Sequence, residues 1–231
     1  MNVPEEKLKI GITNCFQGVK AHVLGQYFSW ISLSEIESTN DQNICGVIYE
    51  KTFSLSEIQF SPNVPVEKES RLDDSSLLTN FITRVYTYDR WRALREKNTR
   101  SKDLVNFHTA YKMLLLAHSE PIYRQMGPLV AQAGLLEIND LLNQYEEKLM
   151  TALKELPTRK QHTNVLYHLF GFLKDELKQD SKQEILNAIE GYRLNRVPLV
   201  KPLVLMQHHF RLLKHTWVDA QVYFKIPFLT P

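Results

Sequence analysis

The sequence predicts a mainly α protein: an antiparallel, bundle-like multi-helix domain with a small N-terminal α/β appendage. Three observations carry this reading. From Asp73 onward apolar residues recur at helical spacing, with cap residues before each stretch and proline or glycine after it. Between Lys7 and Phe60 the pattern is short and β-like. Separating them, Ser61-Pro62-Asn63-Val64-Pro65 followed by Glu67, Lys68 and Glu69 reads as a proline-marked linker. The expected division is therefore 1–70 and 71–231.

In the first part Leu8, Ile10 and Ile12 alternate with polar residues, and Ile44 to Tyr49 is rich in β-branched residues. Two or three strands are expected, with a helix near Tyr27 to Ile36. Such a piece is barely large enough to be stable alone. In the second part Asp73 to Ser76 offer caps for a helix through Leu77, Phe81, Val85, Tyr88 and Leu94, and Ser101 caps the next. Pro121 opens a third that ends near Gly134. A fourth spans Ile138 to Leu153 and is stopped by Pro157, and Thr158 caps a fifth. Ser181 with Glu184 forms a capping box for a sixth, Pro198 and Pro202 precede a seventh, and Thr216 starts a last short one. Short connections throughout suit antiparallel neighbours.

With 231 residues, 43% hydrophobic and 23% charged, the chain has the composition of an ordinary globular protein. Neither a signal peptide nor an apolar run approaching the ~20 residues of a membrane span is evident, so a cytoplasmic location and no membrane partner are expected. Cys15 and Cys45 are too few for a disulfide framework. Charge is uneven. Residues 1–80 hold 6 Lys+Arg against 11 Asp+Glu, and residues 81–231 hold 22 against 15. That bias favours an anionic small molecule or nucleotide as partner, and supports a local pocket better than a nucleic-acid track.

Seven of the eight histidines lie beyond Phe107, in polar clusters that interrupt apolar-faced helices. His108 and Lys112 share a face and lower each other's affinity for protons. His118 sits at a helix end, where the macrodipole favours a charged imidazole. Tyr123 with Arg124, and Arg193 at the end of the sixth helix, offer guanidinium forks. The fifth helix carries His162 near its start and Asn164, His168 and Gly171 along one side; the mid-helix glycine suggests a close approach there. On the seventh, Lys201, Val204, His208, Arg211 and His215 form a stripe opposite the core face. Each feature has a structural explanation too: a cap, a loop clamp, a solvated face. The common nucleotide-binding, hydrolase and metalloprotease motifs are lacking, and no metal site is expected.

These same residues resemble the YbgA family, a bacterial domain of unknown function, from about Leu77 to the C-terminus. The resemblance rests on Phe107-His108 with Lys112, Ala117-His118-Ser119 with Tyr123-Arg124, His162-Thr163-Asn164 with His168, Tyr192-Arg193 with Val197-Pro198, then His208 and Gln221-x-Tyr223. Gln207 stands where the family commonly has lysine. The segment Lys9 to Gly18, with Cys15, is similar to the start of the thiouracil desulfidases, a family whose members hold an iron-sulfur cluster with three cysteines. Cys45 matches a second ligand, and with no third in the chain no cofactor is expected.

The leading expectation is a binding module in which His108, Lys112, His118, Tyr123, Arg124, His162, Asn164, His168, Arg193, His208 and Arg211 line a pocket for an anionic ligand. The desulfidase resemblance implies a nucleotide or modified nucleobase derivative. A rival is a hydrolase or transferase with His162 or His168 as general base, metal-assisted or not. A third is a protein-interaction domain in which the clusters are interhelical glue.

Overall fold

The computed structural model describes residues 7–13, 24–33, 44–50, 61, 63–97 and 99–225. The chain divides into two compact units, Met1–Asn98 and Thr99–Pro231.

The first unit is built on a parallel sheet of four short strands, β1 (Leu8–Ile12), β2 (Phe28–Ser32), β3 (Ile44–Tyr49) and β4 (Val66–Lys68), in the order β2-β1-β3-β4. Helix α1 (Ser75–Arg95) covers one face. Phe81, Ile82 and Val85 of α1 pack with Ile10, Phe28, Cys45 and Ile48, all buried. Gly46 permits the approach: a Cβ there would sit 2.7 Å from the Val85 side chain. Asp74 caps α1, its carboxylate accepting from the backbone N–H groups of Ser76 and Leu77.

Two expectations are corrected here. Where a helix is expected near Tyr27 to Ile36, Phe28–Ser32 form strand β2, paired in parallel with β1, and Ser34 to Ile36 lie outside the described residues. The segment read as a linker carries β4, pairing Val47 with Val66. Its polar look misleads because Glu67 is buried: Arg84 Nη2 donates to Glu67 Oε2 at 2.8 Å, and Arg84 Nε to Asn80 Oδ1 at 2.9 Å. The unit boundary falls after Asn98, so α1 counts with the sheet.

The second unit is helical: α2 (Ser101–His118), α3 (Glu120–Ala131), α4 (Ile138–Lys154), α5 (Arg159–Leu173), α6 (Gln179–Arg193), α7 (Val200–Leu212) and α8 (Trp217–Ala220), closed by a 3-10 turn, Val222–Lys225. Helix α2 is its hub, touching α3, α4, α5 and the closing turn. Its Leu104, Leu114 and Leu115 are wholly buried, as are Leu149 of α4 and Val165, Leu166 and Leu169 of α5.

The cap expected at Thr158 is present and forms a full capping box with Gln161: Gln161 N–H donates to Thr158 Oγ1, and Thr158 N–H to Gln161 Oε1. Two other caps differ. At α2 the cap position is Arg100, whose N–H is accepted by Asp103, so Ser101 is already helical. Helix α6 begins at Gln179, ahead of Ser181, with no side-chain cap. The close approach expected at Gly171 is absent, since a Cβ there would meet nothing within 4 Å among the described residues.

Candidate functional site

One group of polar side chains in the second unit gathers where five pieces of chain meet: the C-terminal ends of α2 and α4, the start of α5, the end of α6 and the closing turn. The Thr158–Gln161 box fixes where α5 begins, which sets Arg159 on its first turn and His162 one turn further. His162 Nδ1 lies 2.7 Å from the hydroxyl of Tyr223, which is fully buried. Burial holds that phenol well above its usual range, so the hydroxyl stays protonated. The Tyr192 ring meets the imidazole edge to face, with centroids 6.4 Å apart. Burial, then His118, then Arg159 push the His162 imidazole down to about 4, so it is neutral at physiological pH.

His118 is buried, and its Nδ1 lies 2.7 Å from the backbone carbonyl oxygen of Glu155. A carbonyl only accepts, so Nδ1 carries the proton. The histidine thus ties the end of α2 to the end of α4 instead of capping its own helix. Gln161 Nε2 donates to the His118 carbonyl at 3.0 Å, and Ser119 Oγ to Glu155 Oε1 at 3.1 Å. Arg159 completes the group. Its guanidinium lies over the Tyr192 ring, 4.5 Å from the centroid, and donates to Tyr192 O at 2.6 Å and Asn195 Oδ1 at 2.7 Å. Asn195 takes the left-handed conformation (φ 60°) that ends α6, a position asparagine tolerates.

A second polar centre surrounds His108. Its Nδ1 lies 3.2 Å from the buried hydroxyl of Tyr145, and the Tyr123 ring runs nearly parallel to the imidazole at 6.5 Å. Burial and then the Lys112 charge lower the His108 proton affinity. The Lys112 ammonium sits between two rings, 5.4 Å from Phe172 and 5.3 Å from Trp217. This cation pins α8 to α2 and α5.

The remaining sequence candidates stay apart from both centres. Arg124 and Arg193 are exposed and paired within their own helices, with Glu120 and Glu190 respectively. His168, His208 and Arg211 are exposed, Asn164 is half-buried, and His208 stands edge to face with His209. His215 bonds Glu176 at 2.7 Å. Arg159, Tyr192, Tyr223, Tyr145 and Glu155 are not among the site residues expected from the sequence. The signals for two of them are visible in retrospect: the Thr158–Gln161 box places Arg159 beside His162, and Tyr223 closes the Gln-x-Tyr pair.

In the first unit Cys45 is buried and donates to Asp89 Oδ1 across 3.6 Å. Burial, reinforced by Asp89, pushes this thiol up to about 12. Cys15 lies outside the described residues. Among those residues no set of three or more His, Cys, Asp or Glu is placed to hold a metal ion, and no helix is long and apolar enough to cross a membrane.

A small parallel-sheet unit followed by a helical unit with two polar centres, at His162 and His108, defines a mainly helical protein with a small N-terminal sheet. The chain belongs to the family described as protein of unknown function DUF1722, whose profile matches residues 112–227. It is 31% identical over 157 residues to the uncharacterized protein YbgA of Escherichia coli (strain K12), an alignment covering 68% of this chain and 90% of that protein. The resemblance to YbgA-like domains is thereby established. No solved structure matches the chain.

Proposed function

We propose that the helical unit is a binding module for an anionic small molecule, a nucleotide or modified nucleobase derivative, received at the His162 centre. The observation that carries this reading is the electrostatic setting of His162: the two neighbours that move its proton affinity, His118 and Arg159, both push it down, and Arg159 is a permanent cation. A half-buried imidazole beside a fixed cation, with no carboxylate acting on it, is a place where an arriving anion is stabilised. His162 Nε2 makes no hydrogen bond among the described residues and supplies the donor, while Arg159 supplies fixed charge. The nucleotide class comes from reading residues 1–70 as a trimmed relative of the desulfidases, and the short connections suit an antiparallel bundle as the scaffold.

Titration calorimetry with a nucleoside monophosphate and with pyrophosphate tests the reading. Binding that is lost in both His162→Ala and Arg159→Ala supports it, and absence of binding to the wild-type chain overturns it. The rival reading, with His162 as general base, has less support because an imidazole held near 4 is a weak acceptor at neutral pH.

A further inference from the structure

Helix α7 turns Leu203, Met206 and Phe210 into the core and leaves Lys201, Val204, His208, Arg211 and Leu212 exposed. Leu212 is 63% exposed, and no carboxylate occurs between Arg196 and Val218. This outward stripe is cationic and ends on a leucine. Helix α4 and the turn before it present the opposite character: Glu137, Asp140, Gln144 and Glu147 are exposed, and Leu135 just ahead of them is 85% exposed with Leu136 beside it.

The two stripes share one spacing. Lys201 to Arg211 and Glu137 to Glu147 each span ten residues, about 15 Å of helix. Laid antiparallel with Arg211 opposite Glu137, the helices bring His208 opposite Asp140, Val204 opposite Gln144 and Lys201 opposite Glu147. In that register Leu212 falls opposite Leu136. A parallel arrangement still pairs Lys201 with Glu137 and Arg211 with Glu147, but sets Val204 against Asp140 and leaves the leucines unmatched. The antiparallel register is the better match because it joins all three basic positions to carboxylates and the leucines to each other.

We propose that the outward face of α7 docks on the outward face of α4 in a second copy of this chain. Both patches belong to one protomer, so a two-fold pair makes the contact twice. This inference is independent of the ligand site, since none of its residues belongs to the His162 centre.

Sedimentation velocity on the full chain over a concentration series, at low and high salt, tests it. Reversible self-association that salt weakens is expected. Arg211→Glu and Glu137→Arg each place like charges in contact and weaken association by about tenfold or more. An equimolar mixture of the two variants recovers it, because every contact between unlike chains again joins opposite charges. Circular dichroism confirms that these surface variants fold. A monomer at all concentrations, association unmoved by either reversal, or no recovery on mixing overturns the proposal.

Discussion

The hydroxyl of Tyr223 lies 2.7 Å from Nδ1 of His162 and decides which nitrogen of that ring carries the proton. The phenol is fully buried and its oxygen has no other hydrogen-bond partner among the described residues, so its hydrogen must go to the imidazole. Nδ1 is then the acceptor and Nε2 the donor. His118, whose Nδ1 donates to a carbonyl, holds its proton on the other nitrogen.

Removing that hydroxyl in Tyr223→Phe leaves Nδ1 without its donor while keeping the ring packed. The expected cost is about 1 to 2 kcal/mol in denaturant unfolding. Nitrogen NMR of His162 should change from one tautomer to a mixture. An unaltered tautomer would assign the proton to some other constraint.

Acid should destabilise the helical unit through His162. Its folded value, about 4, lies below the ordinary 6.5, so the unfolded chain takes up a proton first as pH falls. Stability is therefore full above about pH 6.5, declines towards pH 4 and levels off below, a loss on the order of 3 kcal/mol. His108, lowered for the same main reason, acts in the same direction. Melting temperature against pH for the wild type and His162→Gln measures it, and the variant should show the shallower slope.

Within the first unit, Arg84→Met removes the buried partner of the Glu67 carboxylate, which is only 6% exposed, and leaves it the more exposed Arg71 at 3.1 Å. Breaking a buried pair from one side costs about 3 to 5 kcal/mol, and exchanging both partners for apolar residues restores most of it. Urea unfolding of Arg84→Met and of Arg84→Met/Glu67→Leu separates the two cases. Equal stability of the single and double variants would show that Arg71 alone compensates the carboxylate.

Lys214 ends α7 in the left-handed region, at φ 60°, where a side chain is strained. Lys214→Gly should therefore raise stability by up to about 1 kcal/mol in thermal or urea unfolding. A loss on substitution would show that the lysine side chain contributes more than its backbone costs.

Much of the helical unit was legible in the sequence because its helices are amphipathic and bounded by local chemistry. The fifth helix begins at Thr158 as expected since both halves of its capping box lie within four residues. The sheet was harder to read. Strand β2 and strand β4 are short, and their polar residues are satisfied by distant partners such as Arg84, a relationship no local window contains.

Local pattern thus determined that this protein is mainly helical, where most of its helices start and stop, and which family it belongs to. Tertiary structure alone decided which polar residues work together. Arg124 and Arg193 find carboxylates on their own helices, whereas His162 meets Tyr223, sixty-one residues away, only because α5 and the closing turn both pack against α2. The physical reason is range: capping and periodicity act within a turn or two, whereas burial and proton affinity depend on every element that closes around a side chain.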